Sequence, residues 1–233
     1  MAFGVYPCFI YPFYYFAYKK TMATYRQEYF PPLLEDCFYH IYNRGNNGDN
    51  LFFQHRNYRY FLQKYDYYLS PYLETYTFCL LPNHFHLLVR IKNFADLPKI
   101  EQTLRHGQEL IISPERIISE QFRRFFVSYA KSIKVQEERT VSLFEKNFRR
   151  KLVDSDEYFT NLVAYIHRNP ETHGICADFR EYPYSSYCKM MSPKVTRLMK
   201  LQVLSWFGGI EAYQQVHQNR EEPGLLKELI IET

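Results

Sequence analysis

The chain has 233 residues, room for one well-buried domain or one domain with a small appendage. Hydrophobic residues make up 46% and charged residues 23%, as in a globular protein, and the net charge of +4 is too small to argue for nucleic acid alone. Five scattered cysteines (Cys8, Cys37, Cys79, Cys176, Cys188) form no CxxC pair and no even framework, which excludes a disulfide scaffold and fits reduced thiols in a cytoplasmic protein.

Met1 to Ala17 is almost purely apolar and aromatic, followed by Lys19 and Lys20. It lacks the positive start and small-residue end of a signal peptide, and its tyrosines and prolines suit a bilayer core poorly. The expectation is that Met22 is the start, with residues 1–21 an upstream extension outside the fold. Cys37–Asn43 alternates as a strand and runs into Arg44-Gly45-Asn46-Asn47-Gly48, a loop. The spacing from Arg56 to Leu69 predicts a helix with Tyr60, Phe61, Tyr65 and Tyr68 inward. Leu73–Leu81 and His84–Ile91 read as a hairpin turned at Pro82-Asn83. Helices are expected over Ala95–Ile112 and Ser119–Val135, and a basic, irregular edge strand over Ser142–Val153. Ser155–Arg168 reads as a helix capped by Asp154, Ser155 or Asp156 and closed by Pro170 and Gly174. A short, mostly helical tail runs to Thr233. Strand, helix, hairpin and helices in this order imply an α+β, ferredoxin-like split-βαβ sheet with packed helices. The expected division is a core over 22–187 and a helical tail over 188–233.

Three constellations carry chemistry. His84 and His86 stand two apart on a strand, so both imidazoles share a face and make half of a divalent-metal site. Eight histidines give about 0.3 such pairs by chance, so the plain alternative is two hydrogen-bonded core histidines. Tyr165 and Asn169 stand four apart on a helix, where an amide oxygen can complete a metal site beside a phenol. The plain alternative is one core tyrosine among 23 and a routine Asn-Pro helix stop. Guanidiniums and ammoniums interleave with rings at Arg123, Arg124, Lys146, Arg149, Arg150 and Lys151, the pattern that holds single strands by phosphate contact and base stacking. An amphipathic helix would look the same around Arg123. The loop at Asn43 and Arg44 offers another phosphate anchor.

Taken in order, Tyr39–Asn47, Cys79–Val89, Tyr165–Pro170, His173-Gly174, Tyr182–Tyr187 and Trp206–Gly209 resemble the single-tyrosine HUH transposases, and within them the REP-associated tyrosine transposase branch. The likeness runs from about residue 36 to about 218. It implies a ferredoxin-like core, His84, His86 and Asn169 as ligands of Mg²⁺ or Mn²⁺, and Tyr165 as nucleophile. The substrate implied is single-stranded hairpin DNA, cut and rejoined through a 5′-phosphotyrosine by a monomer or homodimer, with no membrane partner. A phenol ionises only near pH 10, so the metal or a base must help; Lys151, His167 and His40 are candidates. The chain departs from the family at Lys134, Glu138 and Val141, where relatives carry an Asn and two glycines. Two rivals remain: a binding module that recognises hairpins without cutting, and a metallohydrolase with Cys79 or His40 joining the histidines around zinc.

Overall fold

The computed structural model describes residues 30–98 and 113–219. Its first unit is strand β1 (Phe38–Arg44), helix α1 (His55–Leu69) and strand β2 (Leu73–Leu80). Strand β3 (His84–Ile91), helix α2 (Pro114–Gln136) and strand β4 (Arg149–Val153) form the second. The four strands order β2-β3-β1-β4 and every neighbouring pair is antiparallel. Each βαβ unit therefore has a strand of the other inserted between its own two, the split-βαβ arrangement expected from sequence. Helix α3 (Asp156–Thr172) follows β4 after two residues, and α4 (Tyr187–Met191), α5 (Lys200–Trp206) and α6 (Ile210–Gln218) complete the described chain. No helix among the described residues is long and apolar enough to cross a membrane.

Strand alternation divides the side chains between two layers. Tyr39 and Ile41 of β1 and Phe85, Leu87, Val89 and Ile91 of β3 face α1 and α2, where Phe61, Phe122, Phe125 and Tyr129 pack on them. Phe61 meets Phe85, Phe125 and Tyr129 edge-on or tilted at ring distances of 4.8–5.1 Å. The Tyr129 hydroxyl, wholly buried, donates to the Leu51 carbonyl at 2.8 Å, so this layer leaves that polar tip satisfied. On the other face Phe38, Tyr76 and Leu88 pack under Phe159, Leu162 and Ile166 of α3, with Val203, Phe207 and Tyr213 beyond them. Thr75 pairs with Val89 and Thr77 with Leu88, so Tyr76 is an extra residue in β2. The bulge turns both Tyr76 and Thr77 toward α3.

Several boundaries differ from the sequence reading for definable reasons. Helix α2 starts at Pro114, whose missing N–H costs nothing at the first helical position. Strand β4 begins only at Arg149, because Ser142–Phe148 is a loop with Asn147 at φ 62° and a single bridge from Phe144 to Gly45. Helix α3 continues through Pro170 to Thr172. In its last turn Pro170 forfeits only one amide bond, and the end is then sealed at Gly174. With Gly174 at φ 66°, Gly174 N–H donates to Glu171 O at 3.0 Å and Ile175 N–H to Pro170 O at 2.8 Å. The helix expected over 95–112 lies outside the described residues, apart from its first positions in the 3₁₀ turn Phe94–Asp96. The proposed extension over 1–21 lies outside them as well.

The segment after α3 closes one edge of the sheet. Leu80 N–H donates to Tyr184 O at 3.0 Å, Ser186 N–H to Phe78 O at 2.9 Å, and the Tyr182 hydroxyl to Leu80 O at 2.8 Å.

Candidate active site

The face of the sheet under α3 carries a polar strip across three strands. Register sets Tyr42 opposite His86, Arg44 opposite His84, and Lys151 opposite His40. From above, α3 contributes Tyr165 and Asn169, and its cap residue His173. The His84 and His86 rings lie 5.2 Å apart and the His84 and His173 rings 5.0 Å apart. Tyr165, half-buried, is edge-on to His86 at 5.6 Å and to His40 at 6.5 Å. Asn169 is 1% exposed and stands close enough to His84 to act on its imidazole. The site thus joins the His-x-His strand and the Tyr/Asn helix turn, two constellations that are far apart in sequence.

Hydrogen bonding on this strip is incomplete in a consistent way. His84 Nδ1 lies 2.7 Å from Asn83 Oδ1, and His86 Nδ1 lies 2.9 Å from His40 Nε2. The Nε2 atoms of both ligand candidates and Oδ1 of Asn169 are buried with no hydrogen-bond partner. Burial costs such atoms roughly 1–3 kcal/mol each, and a group of unpartnered imidazole nitrogens and an amide oxygen is of a kind that fits a divalent cation. Burial also keeps the imidazoles neutral, the form that coordinates metal. Burial first, then His173, lowers His84 to about 4, with Asn169 pulling back upward. His86 is held well below the usual histidine range by burial and then by His40. Burial and then the Lys151 cation lower His40 to about 3. Among the described residues no three His, Cys, Asp or Glu side chains are grouped to hold a metal; the donor set here is two imidazoles and an amide.

A cleft of about 380 Å³ opens beside His84, lined by Arg44, Asn50, Pro82, Asn83, His84, His173 and Ile175. Next to Arg44, Gly45 leaves no room for a side chain: a Cβ there would lie 1.8 Å from the Asp49 carbonyl oxygen. Arg44 and Arg149 both reach Glu145, at 3.1 and 3.7 Å. Lys151 is buried on the strip itself, while Lys146 is exposed on the loop before β4. Arg150 points to the opposite layer, over the Phe148 ring at 5.3 Å. Asn43, also on the opposite face, accepts the Arg44 amide at 2.8 Å. Arg123 and Arg124 are on α2 and bind Glu120, so the sheet stands between them and the histidines.

His167, one of the candidate helpers, is turned away. Its Nε2 lies 2.6 Å from Thr77 Oγ1 and 2.7 Å from Ser186 Oγ, and its Nδ1 lies 2.9 Å from His217 Nε2. His217 Nδ1 in turn lies 2.7 Å from the Tyr213 carbonyl, which can only accept. Proton directions follow along the chain: His217 Nδ1–H to Tyr213 O, His167 Nδ1–H to His217 Nε2, and a hydroxyl to His167 Nε2. Cys79 pairs across from His86 on the same face, but burial raises its thiol well above the usual range. His40, Asn83 and His173 are the participants that sequence reasoning did not rank. Strand alternation puts His40 on the histidine face, but only the register between β1 and β3 identifies His86 as its partner.

An antiparallel split-βαβ sheet with a His-x-His pair on a central strand, faced by tyrosine and asparagine one turn apart on a helix, is the architecture that the HUH-type tyrosine transposases are expected to show. No family model matches the chain. In sequence it is similar to the Haemophilus influenzae protein named "Putative REP-associated tyrosine transposase", 27% identical over 114 residues. That match takes in 49% of this chain and 58% of the relative, so it spans little more than half of the curated protein. Among solved structures, a REP-associated tyrosine transposase bound to a REP hairpin overlaps with a TM-score of 0.46 and 18% identity, over 74% of this chain and 87% of that one. A bacterial tRNA(His) guanylyltransferase-like protein in complex with GTP overlaps at 0.39 and 13%, over 68% and 73%.

Proposed function

We propose that the protein cuts and rejoins single-stranded hairpin DNA by transesterification, with Tyr165 as nucleophile and His84, His86 and Asn169 holding Mg²⁺ or Mn²⁺. The observation that carries this reading is the set of three buried, unpartnered nitrogen and oxygen atoms beside a half-buried tyrosine. All three are of a kind that coordinates divalent cations, so the residues fit the group. A bound divalent cation supplies charge neutralisation at the scissile phosphate. The Tyr165 oxygen forms a bond to phosphorus while the bond to the 3′ oxygen breaks; the phenol loses a proton and the leaving 3′ hydroxyl gains one. One phosphodiester is exchanged for another, so the 5′-phosphotyrosine can be reversed without ATP. Arg44 on the rim of the cleft and Lys151 on the strip orient the strand through its phosphates. The setting is the cytoplasm, at the nucleoid.

The test is a denaturing gel of the protein incubated with hairpin oligonucleotides from the DNA flanking its gene, plus Mg²⁺ or Mn²⁺. A covalent protein–DNA band is expected, absent from Tyr165→Phe and His84→Ala. Cleavage with no adduct would replace this reading with metal-assisted hydrolysis. Hairpin binding with neither would leave a non-cleaving recognition module.

A further inference from the structure

The His86 Nδ1 to His40 Nε2 bond can run in either direction, and the direction decides whether His86 can coordinate anything. If His40 donates, Nδ1 of His86 accepts and the His86 proton sits on Nε2, where it occupies the coordinating position. If His86 donates, its Nε2 lone pair is bare. Each direction leaves one buried N–H without an acceptor, on His86 Nε2 or on His40 Nδ1, so it is coordination that separates the two. His84 provides the comparison on the same strand. The Asn83 amide group reaches toward Gly48 O at 3.5 Å, which leaves Asn83 Oδ1, an atom that can only accept, 2.7 Å from His84 Nδ1. The His84 proton is therefore on Nδ1 and its Nε2 is bare. His40 stands behind His86 as Asn83 stands behind His84. It is fully buried, with the Tyr42 ring at 4.7 Å and the His86 ring at 5.1 Å from its own, and has little freedom to turn away.

We propose that His40 is a positioning residue that accepts the Nδ1 proton of His86 and so keeps the Nε2 lone pair of His86 open for a divalent cation. This rests on the metal-dependent reading above. Outer partners of this kind fix the tautomer and orientation of metal-binding histidines, and their loss typically costs about 10- to 100-fold in metal affinity.

The experiment measures Mn²⁺ binding to the DNA-free full chain, by electron paramagnetic resonance titration, for wild type, His40→Phe and His40→Gln. His40→Phe fills the space of the ring without an acceptor, whereas glutamine offers an oxygen toward His86 Nδ1. Weakening of about 10- to 100-fold is expected in His40→Phe and restoration to within about threefold in His40→Gln, with circular dichroism unchanged. Two-bond ¹H–¹⁵N spectra of the Mg²⁺-loaded wild type give the same answer without any variant. A proton on His86 Nδ1 supports the proposal and a proton on Nε2 overturns it. Equal Mn²⁺ affinity in folded His40→Phe and wild type also overturns it, leaving the metal site intact. Absence of Mn²⁺ binding to wild type would instead overturn the metal-dependent reading, and this proposal with it.

Discussion

Two buried polar clusters lie under α3 on the same face of the sheet, and both are built from histidines. Around His167, the described hydrogen bonds give each ring nitrogen of His167 and His217 a partner. Around His84 and His86, one nitrogen of each ring is held and the other is buried with nothing opposite it. Residue type is alike, but His167 and His217 are fully enclosed whereas His84 and His173 are half-buried where the cleft opens. A completed network fixes one arrangement of the chain, while an uncompleted one keeps bonding capacity in reserve for something that is not protein.

The contrast predicts opposite responses to the same kind of change. His167→Ala removes a fully buried side chain and strands His217, Thr77 and Ser186, and should cost about 3–4 kcal/mol in urea unfolding. Mn²⁺ at a hundred times its dissociation constant should stabilise wild type by about 2.7 kcal/mol, read as a rise in Tm, and should leave His84→Ala unmoved. The third effect is in pH. Burial lowers His217 to about 4, against a bond to the Tyr213 carbonyl that pulls upward. Unfolded, that imidazole takes up its proton near 6.5, so between about 6.5 and 4 the unfolded chain binds more protons and stability falls as pH falls. His217→Gln should make the loss of stability between pH 7 and pH 4 smaller by about 1–3 kcal/mol, measured by urea unfolding across that range. The smallest effect is that of His84→Ala on the metal-free protein. It deletes an unsatisfied Nε2 and a single hydrogen bond to half-buried Asn83, and should change stability by only about 1 kcal/mol. A loss as large as that of His167→Ala would dissolve the distinction between the clusters.

Much of this was legible locally. Alternation marked the strands at Phe38–Arg44, Leu73–Leu80 and His84–Ile91 to within a residue, and two-residue and four-residue spacings paired His84 with His86 and Tyr165 with Asn169. What escaped depends on partners distant in sequence. The β2 bulge, which sends Thr77 to His167, leaves no mark in the alternation of a strand so rich in aromatic and β-branched residues. The fully buried His40 has its role only through register with β3. Arg123 and Arg124 belong to a helix whose layer was not evident from their charge. Of Lys134, Glu138 and Val141, where the resemblance implies an Asn and two glycines, Glu138 gains a physical meaning. Glu138 is at φ 48°, a backbone state that glycine adopts without strain, and Val141 is exposed beside it.

The strap formed by Tyr182–Ser186 along β2 bears on how the molecule meets its surroundings. An open sheet has two rows of unpaired amides and carbonyls at its margins, each a template for a foreign strand. On β2 the Phe78–Leu80 end of that row is taken up by Tyr184 and Ser186. The opposite margin, β4, is five residues long and opens with Arg149, Arg150 and Lys151, charges that a neighbouring copy would have to approach like to like. On the function proposed above, charges that block self-addition also meet the phosphates of DNA, so neutralising Arg149 and Lys151 should raise the tendency to aggregate and lower the salt dependence of DNA binding.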